Sequence, residues 1–275
     1  MAPDDVSMSF WDHLEEFRRR IIISAIAIAV FAFASLYFHA LIEKFIRFPL
    51  ETPLNSLLAA AIDNTVGSEG STMGFLSIAL RGGTSGIDAE LIKVDPLSAI
   101  MVYLKVSIAC GVLLASPIVL YQIWAFVFPA LTQHEKRFVL PLFLIIVFFF
   151  LIGAIFAYLI VVPVVLQFSA SLFPDAANRW DIEKHVNFLT RLLLGFGIAF
   201  ELPIGMGFLA RIGVINSRGF RERQNYAFVG IFAMSAMLTP ADVMSMLLMA
   251  IPLIGLYQLG IFFAFLVEQE PESYA

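Results

Sequence analysis

A series of long apolar stretches, each almost free of charge, is what most restricts the folds open to this chain. They fall at 21–38, 96–128, 138–166, 186–215, 226–238 and 243–267. A helix needs about 20 apolar residues to cross a hydrocarbon core roughly 30 Å thick. With 60% hydrophobic and only 14% charged residues and a mean hydropathy of +0.88, there is too little polar surface to enclose a soluble core. The reading is an all-α polytopic membrane protein with six transmembrane helices, 1–267 forming one domain. The arginines Arg18, Arg19 and Arg20 followed by an apolar run imitate a cleavable export signal. The run at 21–38 is longer than a typical signal core and more spans follow it, so it reads as a permanent helix.

The stretches are not equivalent. At about 1.5 Å per residue, 96–128 would reach roughly 50 Å and must tilt or protrude, whereas 226–238 reaches only about 20 Å and cannot cross an unperturbed core. Asp95 and Pro96 open the longer one as a cap and first-turn proline. Pro117, Pro163, Pro203 and Pro252 interrupt the spans. Each frees a carbonyl that another group must satisfy, so the helices are expected to be kinked. Between spans, 39–94 is a long extracytoplasmic loop. Leu54, Leu57, Leu58, Ala61 and Ile62 have the spacing of a surface helix, and a Gly/Ser-rich insertion follows at 67–86. Residues 268–275 form an acidic tail.

Basic residues set the orientation. Arg18, Arg19, Arg20, Lys136, Arg137, Arg211, Arg218, Arg221 and Arg223 lie in short segments on one side; Lys44, Arg47, Arg81, Lys93, Arg179, Lys184 and Arg191 are diluted over longer loops on the other. The bias favours both termini in the cytoplasm. A net charge of -5 argues against nucleic acid as a partner, while arginines at the membrane edge suit lipid headgroups.

Catalytic signatures are missing from the sequence. His13, His39, His134 and His185 fall at different span ends, Cys110 has no second cysteine to pair with, and no HExxH, GxSxG or P-loop pattern occurs. Neither a metal site nor a cofactor is expected, and the chain does not read as an enzyme. Three polar features stand out instead. Glu15 and Glu16 precede the first span, and Glu135 sits beside His134 in the loop between the second and third. Carboxylates are repelled by anionic lipid, so a cytoplasmic acidic rim suggests a cationic ligand. The third feature, Glu201 midway through the fourth stretch, costs about 2.5–3.5 kcal/mol if ionised there. It is expected to face a wet cavity or a partner, or to be protonated.

Several phrases occur together: His13-Leu14-Glu15-Glu16-Phe17-Arg18, Phe48-Pro49-Leu50, Ser116-Pro117, Tyr121-Gln122-Ile123-Trp124-Ala125-Phe126, Pro129-Ala130-Leu131 with His134-Glu135-Lys136-Arg137, Phe200-Glu201-Leu202-Pro203 and Leu238-Thr239-Pro240-Ala241-Asp242. In this order on a six-span plan, the chain resembles the TatC family, the multispanning core of the twin-arginine protein translocase. The resemblance implies a glove-shaped bundle, N-in and C-in, in the cytoplasmic membrane. It also implies a receptor for twin-arginine signal peptides of folded precursors, driven by the proton gradient and working with TatA- and TatB-like single-span proteins in a homo-oligomeric complex. Carried over residue by residue, Glu16, Glu135, Phe126, Arg18 and His134 bind the signal, Glu201 is the intramembrane polar residue, Thr239, Pro240 and Asp242 dock partners, and Pro49, Pro117 and Pro203 are structural. Met246 and Gln258 depart from the family pattern at the last helix. A secondary transporter that uses Glu201 as a proton or ion site is the alternative.

Overall fold

The computed structural model describes residues 10–51, 90–92, 98–127, 139–171, 179–239 and 243–268. The proposed surface helix at 54–62, the insertion at 67–86 and most of the acidic tail lie outside them. Helices α1 (Phe10–Tyr37) and α2 (His39–Glu51) come first, then strand β1 (Glu90–Ile92). Next are α3 (Ser98–Val127), α4 (Val139–Phe156), a π-helical turn (Ala157–Val161) and α5 (Val162–Ser171). Strand β2 (Arg179–Asp181) leads into α6 (Ile182–Ala199), α7 (Leu202–Arg211), α8 (Ser217–Glu222), α9 (Gln224–Leu238) and α10 (Val243–Val267). Among the described residues five helical stretches are long and apolar enough to cross a membrane: His13–Tyr37, Ala99–Phe126, Pro141–Ala170, Ile182–Arg211 and Ser245–Val267. Helix α9, at 15 residues, is not among them, and at about 1.5 Å per residue it is roughly 22 Å long.

Two compact units make up the chain, Met1–His39 with Tyr103–Phe148, and Ala40–Val102 with Phe149–Ala275. In the first, α1 is nearly bare. Ser35 is the only one of its described side chains that is buried, and its hydroxyl donates to Phe31 O at 2.7 Å. Gly111 of α3 lets the two helices meet: a Cβ there would lie 2.7 Å from the Ala32 backbone nitrogen, a distance no side chain tolerates.

The second unit holds the larger core. Phe196, Leu192 and Val186 of α6, Val162 of α5, and Met249 and Leu253 of α10 are its largest closed apolar side chains. Gly153 admits α6 in the same way, since a Cβ would stand 2.6 Å from Phe196 O. Sequence reading left 39–51 as loop, but α2 is a helix because Ile42, Ile46 and Pro49 recur on one buried face while Glu43, Lys44 and Arg47 stay exposed. The two short strands pair in parallel, Leu91 opposite Trp180. Where sequence reading begins the fourth stretch at 186, α6 already starts at Ile182, because the Asp181 side chain accepts from Glu183 N and caps it. At the far end Glu268 accepts from Ser217 N at 3.2 Å and from Ser217 Oγ at 2.7 Å, while Tyr257 Oη donates to Phe220 O at 2.8 Å. These bonds fasten α8 to α10.

Four prolines among the described residues have a visible consequence, whereas Pro252 lies inside α10 without ending it. Pro49 has no N–H for the Phe45 carbonyl, and Tyr158 Oη donates to that oxygen at 2.7 Å while its ring stacks on Phe45 at 4.3 Å. Pro117 frees the Leu113 carbonyl, which takes the Ser116 hydroxyl at 2.7 Å. Ahead of Pro163 the chain widens into the π turn, where Val162 N donates to Ala157 O. Pro203 follows a short interruption of the fourth stretch, where α6 ends before Phe200 and α7 begins after Glu201 while Phe200 N still donates to Phe196 O at 2.9 Å.

Candidate functional site

The polar face of α1 follows from its register. His13, Glu16, Phe17 and Arg20 are spaced i, i+3, i+4 and i+7 and share one side of the helix. Gln122, Ala125 and Phe126 do the same near the end of α3. These two faces meet. His13 stacks on Phe126 with ring centroids 4.4 Å apart, and Phe17 tilts against the same ring at 5.3 Å. Beside this aromatic group Arg20 Nη2 donates to Glu16 Oε1 at 2.8 Å. Arg20 Nη1 donates to Gln122 Oε1 at 2.9 Å, and Nη2 also reaches Ala125 O at 3.4 Å. Gln122 is buried, and its amide oxygen must face Arg20 because a guanidinium only donates.

The pair is electrically balanced, but Glu16 is only half engaged. Its second oxygen, Oε2, is closed to solvent and has no hydrogen-bond partner among the described residues. An unmet buried acceptor costs about 1–3 kcal/mol, more when charged. One carboxylate oxygen here therefore lacks a donor, close to an aromatic ring, and a ligand reaches it only by displacing what covers it.

Of the residues named from sequence, Glu16 and Phe126 come together here. Glu135 and His134 lie outside the described residues, as do Pro240 and Asp242. Arg18 is exposed: two positions from Glu16 it is turned about 200° around the helix, and Arg20 pairs with the carboxylate instead. The i,i+4 spacing of Glu16 and Arg20 was the signal for this pair; Gln122 stood only inside the phrase at 121–126, with no role of its own.

The remaining residues are dispersed. Thr239 is buried, and both its N–H, at 3.0 Å, and its hydroxyl, at 2.9 Å, are held by Ser235 O, so it caps α9. Glu201 sits at the break between α6 and α7, where its backbone carbonyl accepts from Gly205 N at 2.8 Å and its Oε1 is buried without a partner among the described residues. Pro49 and Pro117 act through the carbonyls described above, and Pro203 stands in the first turn of α7, just after the interruption. His185, read only as a lone histidine, is buried: its Nε2 donates to Ile46 O at 3.2 Å and its ring stacks on Trp180. No group of three His, Cys, Asp or Glu side chains among the described residues could hold a metal ion.

Comparison with known proteins bears on the family and the fold. The family model described as Sec-independent protein translocase protein (TatC) matches residues 12–252. The Sec-independent protein translocase protein TatC of Helicobacter pylori is 40% identical over 188 residues, 66% of this chain and 73% of its own. That of Escherichia coli K12 is 32% identical over 253 residues, 92% and 86% of the two chains. A crystal structure of the twin arginine translocase receptor TatC is 33% identical, covers 93% of this chain and 99% of its own, and superposes with a TM-score of 0.68. The same receptor crystallised in DDM covers 92% and 99% with a TM-score of 0.73. The transporter alternative raised by Glu201 has no support among these relatives, which carry the translocase name. A family match across most of the chain, relatives above 30% identity and a shared all-helical membrane fold lead to one conclusion: the chain belongs to the TatC family, the receptor component of the twin-arginine, Sec-independent protein translocase.

Proposed function

We propose that the Glu16 end of α1 docks the paired arginines of a precursor's signal peptide. The observation that carries this reading is the half-engaged carboxylate, with Oε1 on Arg20, Oε2 unmet among the described residues, and Phe126 alongside. A guanidinium suits such a place, because its planar fork matches carboxylate oxygens and its face stacks on aromatic rings. Glu135, with His134, supplies the carboxylate for the second arginine, and Arg18 lines the rim. Each charge-assisted hydrogen bond contributes about 1.5–3 kcal/mol.

The chain acts as a receptor rather than a catalyst. It lies in the inner membrane with both termini cytoplasmic and crosses it six times, α9 being the short crossing. Thr239, Pro240 and Asp242 form the docking turn for TatA- and TatB-like single-span proteins, Glu201 faces a polar partner group inside the membrane, copies associate in the complex, and anionic lipid surrounds the arginine-rich edge.

Photo-crosslinking from the signal peptide of a twin-arginine precursor tests the central claim. Glu16→Ala is expected to cut the crosslink about tenfold or more, tenfold being 1.4 kcal/mol, while membrane insertion is unchanged. An undiminished crosslink to a properly inserted Glu16→Ala protein refutes it.

A further inference from the structure

The Glu16 carboxylate is one of three acceptors gathered around a single guanidinium. Arg20 bonds Glu16 Oε1, Gln122 Oε1 and the Ala125 carbonyl, the first from its own helix and the other two from α3. The last two bonds give Glu16 nothing directly. What they do is hold the Arg20 plane, and the Arg20 plane holds Oε1. A carboxylate gripped at one oxygen by a fixed partner has lost its freedom to swing, and its second oxygen keeps one direction.

That fixed direction matters differently to different cations. A guanidinium is rigid and planar, so it gains most from an acceptor whose lone pairs are already oriented. An ammonium is a compact charge on a flexible stem with three rotatable donors, and it follows a wandering carboxylate at little cost. Loosening Glu16 should therefore penalise arginine more than lysine.

We infer that Arg20 and Gln122 are positioning residues that set the selectivity of the Glu16 site for arginine over lysine, by anchoring Oε1 so that Oε2 alone is left to accept from the ligand. The inference rests on the reading that Glu16 receives a signal arginine. Arg20 would thus serve the site without touching the signal, and Gln122 would act one step further back. The buried, uncharged Gln122 is explained in the same way: an amide oxygen accepts from Arg20 without bringing a second negative charge beside Glu16.

The test uses the full chain in membrane vesicles with its translocase partners and two precursors that differ only in an Arg-Arg or a Lys-Lys pair. A crosslinker placed beside the pair reports binding, and the measured quantity is the Arg-Arg to Lys-Lys ratio. Gln122→Leu removes the anchor without changing charge, and Arg20→Lys keeps the charge but cannot hold Glu16 and Gln122 together. Both are expected to lower the Arg-Arg crosslink about tenfold and the Lys-Lys crosslink far less, so that the ratio falls toward one. General damage to the fold would lower both crosslinks together and leave the ratio where it was. A wild-type ratio in both variants, with Glu16→Ala still losing the Arg-Arg crosslink, overturns the inference and leaves the proposed function standing. An unchanged crosslink in Glu16→Ala overturns both. Should Arg20→Lys fail to insert, Gln122→Leu decides alone, since it preserves every charge.

Discussion

Ser116 and Pro117 form a linked pair. The proline removes the N–H that the Leu113 carbonyl would otherwise take, and the neighbouring hydroxyl donates to it at 2.7 Å. Ser116→Ala should therefore lower stability by about 1 kcal/mol, the net worth of one such bond. In a Pro117→Ala background the same change should cost close to nothing, because the new Ala N–H reaches Leu113 O. Unfolding measured in detergent across this double-mutant cycle checks the coupling; equal costs in both backgrounds would show that the hydroxyl does not serve that carbonyl. The prolines were legible in the sequence as breaks, but their partners were not, since Tyr158 lies far from Pro49 along the chain. Glu16 stood out for a physical reason, a carboxylate where anionic lipid repels it. Arg20 hid among three consecutive arginines, and only helical register separates it from Arg18. Gln122 belonged to a recognisable phrase but, as one polar residue in an apolar run, gave no physical sign of its partner.

Among the elements, helices were legible and their meeting points were not. Long apolar runs have few other ways to satisfy a backbone in lipid, so α3, α4 and α10 follow from composition alone. The strand pair escaped sequence reading because three residues on each side carry no periodicity, and the π turn escaped because it is a response to Pro163. Close contacts between helices depend on which glycine faces a neighbour. Gly153→Ala would push a Cβ to 2.6 Å from Phe196 O and 2.8 Å from Phe200 Cβ, and the carbonyl belongs to a backbone that cannot step aside. A loss of about 1–3 kcal/mol is expected, read as a lowered unfolding midpoint in detergent. Gly205 has nothing within 4 Å of an added Cβ, so Gly205→Ala should leave the midpoint unchanged or raise it slightly, through the better helix propensity of alanine. Equal losses at both positions would count against packing as the cause.

At the scale of the whole molecule the bilayer does what polar surface does elsewhere. Phe33, Phe148, Phe262 and Phe265 are all more than half exposed, an arrangement that only lipid or membrane partners make tolerable. The proposed orientation rests on arginine placement, which predicts a labelling pattern. After Cys110→Ala removes the native thiol, cysteines introduced at Arg18 and Arg221 should react with an impermeant maleimide only when the cytoplasmic face is accessible. Cysteines at Arg47 and Lys184 should react from the opposite side; the reverse pattern would invert the topology. The bareness of α1 has a consequence in time. Its Ala32 meets Gly111 only after about 80 more residues have been made, a wait of roughly 4–16 s at ordinary synthesis rates. During that interval the helix has neither Gln122 nor the Ala125 carbonyl for company. The Glu16–Arg20 pair, lying one turn apart on a single helix, is what lets the nascent segment carry an acidic residue to the membrane edge with its charge already answered.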